Sequence, residues 1–452
     1  MSKRCAMTVD AVKIRHEIVM RPPDALRPAT RNARTHSRKQ LRQIADSIRR
    51  FGFTNPVLVD NQDMILAGHG RVAAAQLLGL AEIPVLCIGH LSPKERKAYA
   101  LADNKIALNA GWDQELLALE LQELIDLDFD IELTGFSLAE VDFVLDTARE
   151  SATSGEAGPI DHIPVMSGTP VARAGDLWHL GRHRLLCGDA RDAEAYDTLL
   201  IGEQADIIFS DPPYNVPIDG NVCGLGSVRH REFAMGVGEM NPSQFTAFLT
   251  LTLGHMARHA RSGAILFICM DWRHMRELCE AGLACDLALK NLVVWNKTNG
   301  GMGTFYRSKH ELIFVFKQGD APHINSFGLG ETGRYRTNVW DYPGISSRSA
   351  SRDDALAMHP TVKPVALVAD ALRDCSRRSD IVLDPFAGSG TTLIAAQQTG
   401  RIARTIEFDP LYCDTIIRRF EAVTGKQALL GKNGPAFEAV AQERLERTER
   451  PA

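Results

Sequence analysis

The chain has 452 residues, 45% of them hydrophobic and 24% charged, and a net charge of −5. That length predicts two or three globular domains. No apolar run reaches membrane-spanning length, and the first residues lack the apolar core of a signal peptide. Nine cysteines without CxxC pairing argue for a reduced, cytoplasmic protein with no structural metal. A chain this acidic that binds nucleic acid must concentrate its basic residues locally.

Residues 1–60 do so, with Arg27, Arg31, Arg34, Arg38, Lys39, Arg42, Arg49 and Arg50 close together. Within them Ser37–Phe51 repeats apolar residues at Leu41, Ile44, Ala45 and Ile48, which predicts a helix capped by Ser37 and stopped by Gly52. Pro56–Val59, Met64–Leu66 and Ile83–Ile88 read as strands, and Val72–Leu78 as a helix after the turn Gly68-His69-Gly70-Arg71. Cys87, inside an apolar strand, reads as core, and a solitary His69 as structural. The helix before FGFTNPVLV, the segment ILAGHGRVAAAQLLG and the IPV strand resemble the ParB N-terminal domain, which is related to sulfiredoxin. In that family the glycine-arginine turn binds nucleotide phosphates, through helix N-terminal amides and an arginine. Nucleotide binding is therefore an expectation here, although GHGR lacks the Glu-Arg-Arg of the ParB pattern. No cysteine stands in the turn, which argues against sulfiredoxin chemistry.

Ser92-Pro93 opens a further predicted helix, and LADNKIAL also resembles ParB-like domains fused to methyltransferases. Asp113–Leu124 and Ser137–Thr147 show helical spacing within an acidic stretch, 113–150, read as solvent face. Glu150–Gly158 is small and polar and reads as a linker.

Beyond it Gly175–Leu180 and His183–Cys187 read as a hairpin, and Asp189 follows the second strand. Ala205–Ser210 is a strand that delivers Asp211-Pro212-Pro213-Tyr214 at its carboxyl end. Ser243–Ala260 reads as a helix and Gly263–Met270 as a strand. Leu292–Lys297 and Glu311–Lys317 read as an antiparallel pair. Asn215–Asn241 (with Arg229, His230 and Arg231) and Gly319–Met358 (with Arg334, Arg336, Arg348 and Arg352) look irregular, and long loops of this kind are often functional. Ile381–Thr392, IVLDPFAGSGTT, then reads as strand, glycine turn and helix. Gly388 and Gly390 would let a ligand approach the backbone. Glu407, 19 residues after Gly388, ends the next strand, where an acid can bind ribose hydroxyls.

DPPY together with DPFAGSGT resembles the amino-methyltransferases of DNA, and the motif order is that of the β class. The resemblance spans roughly Val171–Thr424. It implies a circularly permuted Rossmann-like sheet, an α/β fold, behind the α+β ParB-like domain. The expected divisions are 1–110 (ParB-like), 111–150 (helical extension), 151–160 (linker), 161–430 (methyltransferase) and 431–452 (tail). It also implies S-adenosylmethionine (SAM) as cofactor and double-stranded DNA as partner, and it leaves a homodimer open. Asp211 and the carbonyl of Pro212 would hold a target amine, Pro213 would stiffen the turn, and Tyr214 would stack on a flipped base. Phe386, Gly388 and Gly390 would line the methionine and adenosine region, Glu407 the ribose and Asp189 the adenine amine. Asp384 would lie near the methionine ammonium, and Thr361 and Lys363 of MHPTVKP would bind its carboxylate. Cytosine-C5 chemistry needs a nucleophilic cysteine, usually after a proline, and no cysteine here follows one. N4-cytosine enzymes usually carry Ser at the Asp211 position, so the resemblance favours adenine N6. The alternatives are an N4-cytosine methyltransferase, a DNA-binding regulator with an inactive methylase half, or an enzyme acting on RNA or protein amides.

Overall fold

The computed structural model describes residues 17–29, 34–127, 129–152, 163–164, 169–216, 238–297, 306–327, 336–343 and 362–449. The chain divides into two compact units, Met1–Ala148 and Arg149–Ala452. No helix among the described residues is long and apolar enough to cross a membrane.

The first unit holds a four-stranded sheet of β1 (Ile18–Arg21), β2 (Val57–Val59), β3 (Ile65–Ala67) and β4 (Ile83–Cys87), in the order β1-β4-β2-β3. Val57, Val59, Ile65, Val72, Ile83 and Val85 form its core. The expected Ser37 cap is present, its side chain accepting from the Gln40 N–H, and Gly52 ends the helix Arg38–Phe51 at φ 82°. Ser92 and Glu95 make a reciprocal capping box for the helix Pro93–Leu108. Three readings change. β1 is a strand ahead of Ser37, where no element was expected. The helix after β3 begins at His69, because Gly68 takes φ 102° and starts the turn. Cys87 is exposed, since it is the last residue of β4 and its thiol turns outward to Asn61 Oδ1 at 3.2 Å. The acidic stretch has its own small core, Leu117, Ala118, Leu121, Ile131, Val141, Val144 and Leu145. The helix Leu138–Ala152 runs into the expected linker, whose remainder up to 162 lies outside the described residues.

The second unit is built on a ten-stranded sheet. In chain order its strands are β5 (Leu177–Leu180), β6 (His183–Cys187), β7 (Ala205–Ser210), β8 (Ala260–Met270), β9 (Ala288–Asn296), β10 (His310–Lys317), β11 (Val339–Asp341), β12 (Ile381–Asp384), β13 (Ile402–Glu407) and β14 (Ala428–Leu430). Their spatial order is β11-β9-β10-β8-β7-β12-β13-β6-β5-β14. β12 is thus central although it comes late in the chain, which is the permuted Rossmann-like arrangement. β12 runs parallel to β7 and to β13, β13 to β6, and β7 to β8. Such strands are buried on both faces and read as continuous apolar runs, as Ile207–Phe209 and Val382–Leu383 do. β10 is antiparallel to both β8 and β9.

Two expectations change in this unit. β11 pairs in parallel with β9 inside a stretch read as irregular. Residues 431–452 are not a plain tail, because the helix Phe437–Glu449 buries Phe437, Val440 and Ala441 in the main core. Arg444 ties that helix to Asp176 and to the carbonyl oxygen of Val171.

Asp414 fixes where the chain enters this unit. Its buried carboxylate accepts the N–H groups of Val171 and Ala172, both at 2.8 Å. Asp414→Ala leaves both donors buried and unsatisfied, so it should cost roughly 2–4 kcal/mol in urea unfolding. A loss below about 1 kcal/mol would show that the contact is dispensable.

Candidate active site

Because β6, β7, β12 and β13 are parallel, their carboxyl ends share one edge of the sheet. Asp189, Asp211-Pro212-Pro213-Tyr214, Asp384-Pro385-Phe386 and Glu407 all follow or end those strands. Ligands of open α/β sheets bind at this edge. The antiparallel hairpin β9–β10 brings the residue after β9, Lys297, and the second residue of β10, Glu311, to the same edge.

The glycine loop is held from several sides. The Gly388 N–H donates to Glu407 Oε2 at 2.7 Å, and the Asp409 N–H to Oε1 at 2.8 Å. A carboxylate has about four acceptor sites, so Glu407 can still take two further donors. Burial pushes its carboxyl up to about 7. Asp384 Oδ1 accepts the Phe386 N–H at 3.1 Å and the Ser210 hydroxyl at 3.0 Å, and burial raises this carboxyl to about 6. The charges that act most on these two acids are other carboxylates, so the loop is electrostatically suited to a cationic ligand. Arg419, fully buried, donates to the Ser389 carbonyl oxygen at 3.0 Å and braces the loop from behind.

The two glycines differ. Gly388 has φ 54° and open space where a side chain would project, as a ligand-facing position requires. Gly390 has φ 81°, and a Cβ there would meet Ile416 at 3.0 Å, so helix packing also requires this glycine. Phe386 is half-buried against Phe248, with ring centroids 6.0 Å apart. The Asp189 carboxylate pairs with the guanidinium of Arg191 at 2.6 Å.

At DPPY the Tyr214 hydroxyl donates to Asp211 Oδ1 at 2.6 Å. Lys363 Nζ lies 2.6 Å from Asp211 Oδ2, 3.0 Å from Glu311 Oε2 and 3.2 Å from Tyr214 Oη. Lys297 pairs with the other Glu311 oxygen and lies over the Trp295 ring. The two ammonium groups hold the Glu311 carboxyl down at about 2 against the effect of burial. Burial and the Glu311 charge raise Asp211, while Lys363 opposes them. Lys363, expected at the methionine carboxylate, thus lies against the DPPY turn and Glu311. A lysine only 3% exposed needs carboxylates around it, and DPPY and β10 supply them. Thr361 lies outside the described residues.

Sequence reasoning missed Glu311, Lys297 and Arg419. The first two were within reach, since a charged residue closes one apolar strand, LVVWNK, and another opens its partner, ELIFVFK. Arg419 is one helical arginine among several, and only its burial distinguishes it. Of the loop arginines, Arg336 is committed to the fold through Asp374 at 2.9 Å and the Trp340 ring. Arg229, His230, Arg231, Arg334, Arg348 and Arg352 lie outside the described residues. In the first unit Arg71 donates to the carbonyl oxygens of Asn55 and Pro56, and His69 Nε2 accepts the Ala29 N–H. Both side chains are thus used locally, so the turn is less open to an anion than its sequence implies. Among the described residues no cluster of His, Cys, Asp or Glu could hold a metal ion.

Comparison with known proteins agrees with both halves. A family model described as DNA methylase matches residues 205–418, and one described as ParB N-terminal domain matches residues 8–105. A third, described as ParB-methyltransferase HTH domain, matches residues 115–174, a module read from sequence only as a helical extension. The ParB-like nuclease domain-containing protein YnaK of Escherichia coli is 46% identical over 81 residues, which are 18% of this chain and 93% of that one. The type II methyltransferase M.HinfI of Haemophilus influenzae is 25% identical over 236 residues, 49% of this chain and 64% of the relative. The crystal structure of the M1.HpyAVI-SAM complex aligns at 19% identity and a TM-score of 0.39, over 52% of this chain and 97% of the other. The chain thus carries a ParB N-terminal domain, shared with that Escherichia coli relative, fused ahead of a segment, residues 205–418, that matches the DNA methylase family model.

Proposed function

We propose that the chain is a site-specific DNA adenine-N6 methyltransferase that uses SAM. The observation that carries this reading is the intact DPPY turn beside a glycine loop of fitting charge, on one edge of a permuted sheet. An aspartate at the DPPY position favours adenine over cytosine. When bound, SAM supplies an electrophilic methyl group. Glu407 accepts the ribose hydroxyls with its remaining lone pairs, and Gly388 admits the ligand to the backbone. Phe386 lines the pocket, and Asp189 meets the adenine of the cofactor. Asp384 acts through the loop, by tying it to Ser210.

The amine of adenine is a weak nucleophile, because its lone pair is delocalised into the ring. Asp211 and the Pro212 carbonyl accept its two hydrogens, which fixes the nitrogen and favours attack. Pro212 and Pro213 limit backbone rotation, so the carbonyl keeps its aim. Tyr214 presents a ring face to a base flipped from the duplex. The exposed Arg38, Lys39, Arg42, Arg49 and Arg50 on one helix of the first unit supply non-specific DNA affinity. Methylation-sensitive sequencing of DNA from cells expressing this chain tests the reading. N6-methyladenine in one recurring sequence is expected, and N4-methylcytosine or no mark would reject it.

Asp211→Ala should abolish methyl transfer while leaving SAM affinity nearly intact. Comparable turnover in a tritiated-SAM assay would remove Asp211 from the mechanism.

Glu407→Ala should weaken SAM by about one to two powers of ten, since charge-assisted hydrogen bonds are each worth roughly 1.5–3 kcal/mol. The wild-type affinity should also rise as pH rises through about 7, where the Glu407 carboxyl ionises and can accept both hydroxyls. The sign for stability is opposite. A carboxyl raised from 4.5 to about 7 favours the fold below pH 4.5, and that contribution is lost as pH rises through 7. Calorimetry showing a pH-independent affinity, equal in the mutant, would refute the ribose assignment.

A protein starting near residue 160 should still bind SAM and methylate the same sequence. It should need more DNA and bind it with a shallower salt dependence. If the folded truncation binds SAM but never turns over, even at saturating DNA, the first unit is part of the active site.

A further inference from the structure

We infer that Lys363 and Glu311 are positioning residues for Asp211, a buried row of alternating charges that fixes the aim and ionisation of the carboxylate facing the target amine. The inference rests on the methyl-transfer reading above.

The row is continuous. Asp211 Oδ2 meets Lys363 at 2.6 Å, Lys363 meets Glu311 Oε2 at 3.0 Å, and Glu311 Oε1 meets Lys297. Four segments converge to make it: the turn after β7, the residues before the helix Val365–Cys375, the start of β10 and the residue after β9. An ammonium has three donors, and among the described residues Lys363 faces three oxygens, the third being Tyr214 Oη at 3.2 Å. Asp211 is thereby addressed on both oxygens, by Lys363 and by the Tyr214 hydroxyl. Its side chain remains 25% exposed, so it is still open to a ligand.

Chemistry gives the row its purpose. An amine donates hydrogens, and an ionised Asp211 offers acceptors on both oxygens, whereas a carboxylic acid would present a donor of its own. Asp211 is partly buried, and the charges of Glu311 and Asp384 act against its ionisation, which the Tyr214 hydroxyl and Lys363 favour. Lys363 is the cation in direct contact among these described groups. Glu311 holds Lys363 in place, and Lys297 neutralises the charge that Glu311 adds.

The test uses the full chain with Lys363→Met, Lys363→Arg and Glu311→Gln. Removing an opposite charge within contact distance shifts a carboxylate by about 1–3 pH units, so K363M should move the acid limb of the kcat profile upward by that amount. E311Q should move it downward, since a like charge is lost, while kcat at the optimum falls. K363R should keep the wild-type limb. SAM affinity by calorimetry should be unchanged in all three. Opposite shifts from two neighbours are not what a merely structural contact gives. A weakened SAM affinity in K363M with an unmoved limb would instead assign Lys363 to the methionine carboxylate and overturn the inference.

A second readout needs no methyl transfer. Without Lys363, Asp211 rises further above its unfolded value and Glu311 loses one of the two cations that hold it down, so the variant loses stability relative to wild type as pH rises through the acid range. The gap in Tm between wild type and K363M should therefore widen from acid to neutral pH. A gap independent of pH would reject the row even if the wild-type chain methylates no DNA, and active wild type with that flat gap would leave the methylation reading standing.

Discussion

Three carboxylates, Asp211, Asp384 and Glu407, are set along one edge of a sheet, and the second unit is organised around how that charge is held. Each ends or follows a parallel strand, so the strand register puts them there. Buried charge is expensive unless it is paired or hydrogen-bonded. The structure answers in two ways. At DPPY it supplies lysines, and the Glu311 carboxyl falls to about 2 as a result. At the glycine loop it supplies N–H groups and hydroxyls, which only partly offset burial, and the carboxyls stay up at about 6 and 7. One end of the edge is thus neutralised by the protein, and the other is left ready for a positive ligand.

Most of the second unit was legible in the sequence because its strands are buried on both faces. Ala205–Ser210, Ile381–Asp384 and Ile402–Glu407 are apolar runs that end in chemistry, and their parallel pairing follows from the helices between them. The parts that could not be read depend on contacts distant in sequence. Lys363 is 152 residues from Asp211, and no local pattern tells which carboxylate a lysine will reach. Gly390 reads like Gly388, and only Ile416, brought in by a later helix, shows its packing role. β11 is three residues long and pairs with β9, so it carries too little periodicity to stand out.

The first unit was harder for a different reason. Its elements are short, and its sheet has edges, so a three-residue strand and a turn look alike in sequence. Caps were the dependable signal, because Ser37 and Ser92 act through bonds within four residues. Functional readings fared less well than structural ones. Arg71 looks like a ligand group by type and place, yet backbone carbonyls use it, while His69 is structural, as its reading had it. The acidic helices beyond residue 113 looked like solvent face, yet they carry a separate core and match an HTH family model.

The permutation places the two motifs far apart in the chain, and a single hydrogen bond shows what reunites them. Ser210, the residue before DPPY, donates its hydroxyl to Asp384, 174 residues later, which opens the glycine loop. Both residues end neighbouring strands, β7 and β12, whose pairing is a contact of high sequence separation. Such pairings bear the full loop-closure entropy before they return any stabilisation. Neither motif can therefore take its final geometry alone. The serine bond needs β7 against β12, and the Glu407 bond to the Gly388 N–H needs β13 on the other side. An ordered cofactor loop and an aimed DPPY turn are two consequences of the same three-strand pairing. A substitution that loosens β12 should disturb both together, whereas one in the Lys363 row reaches only the second.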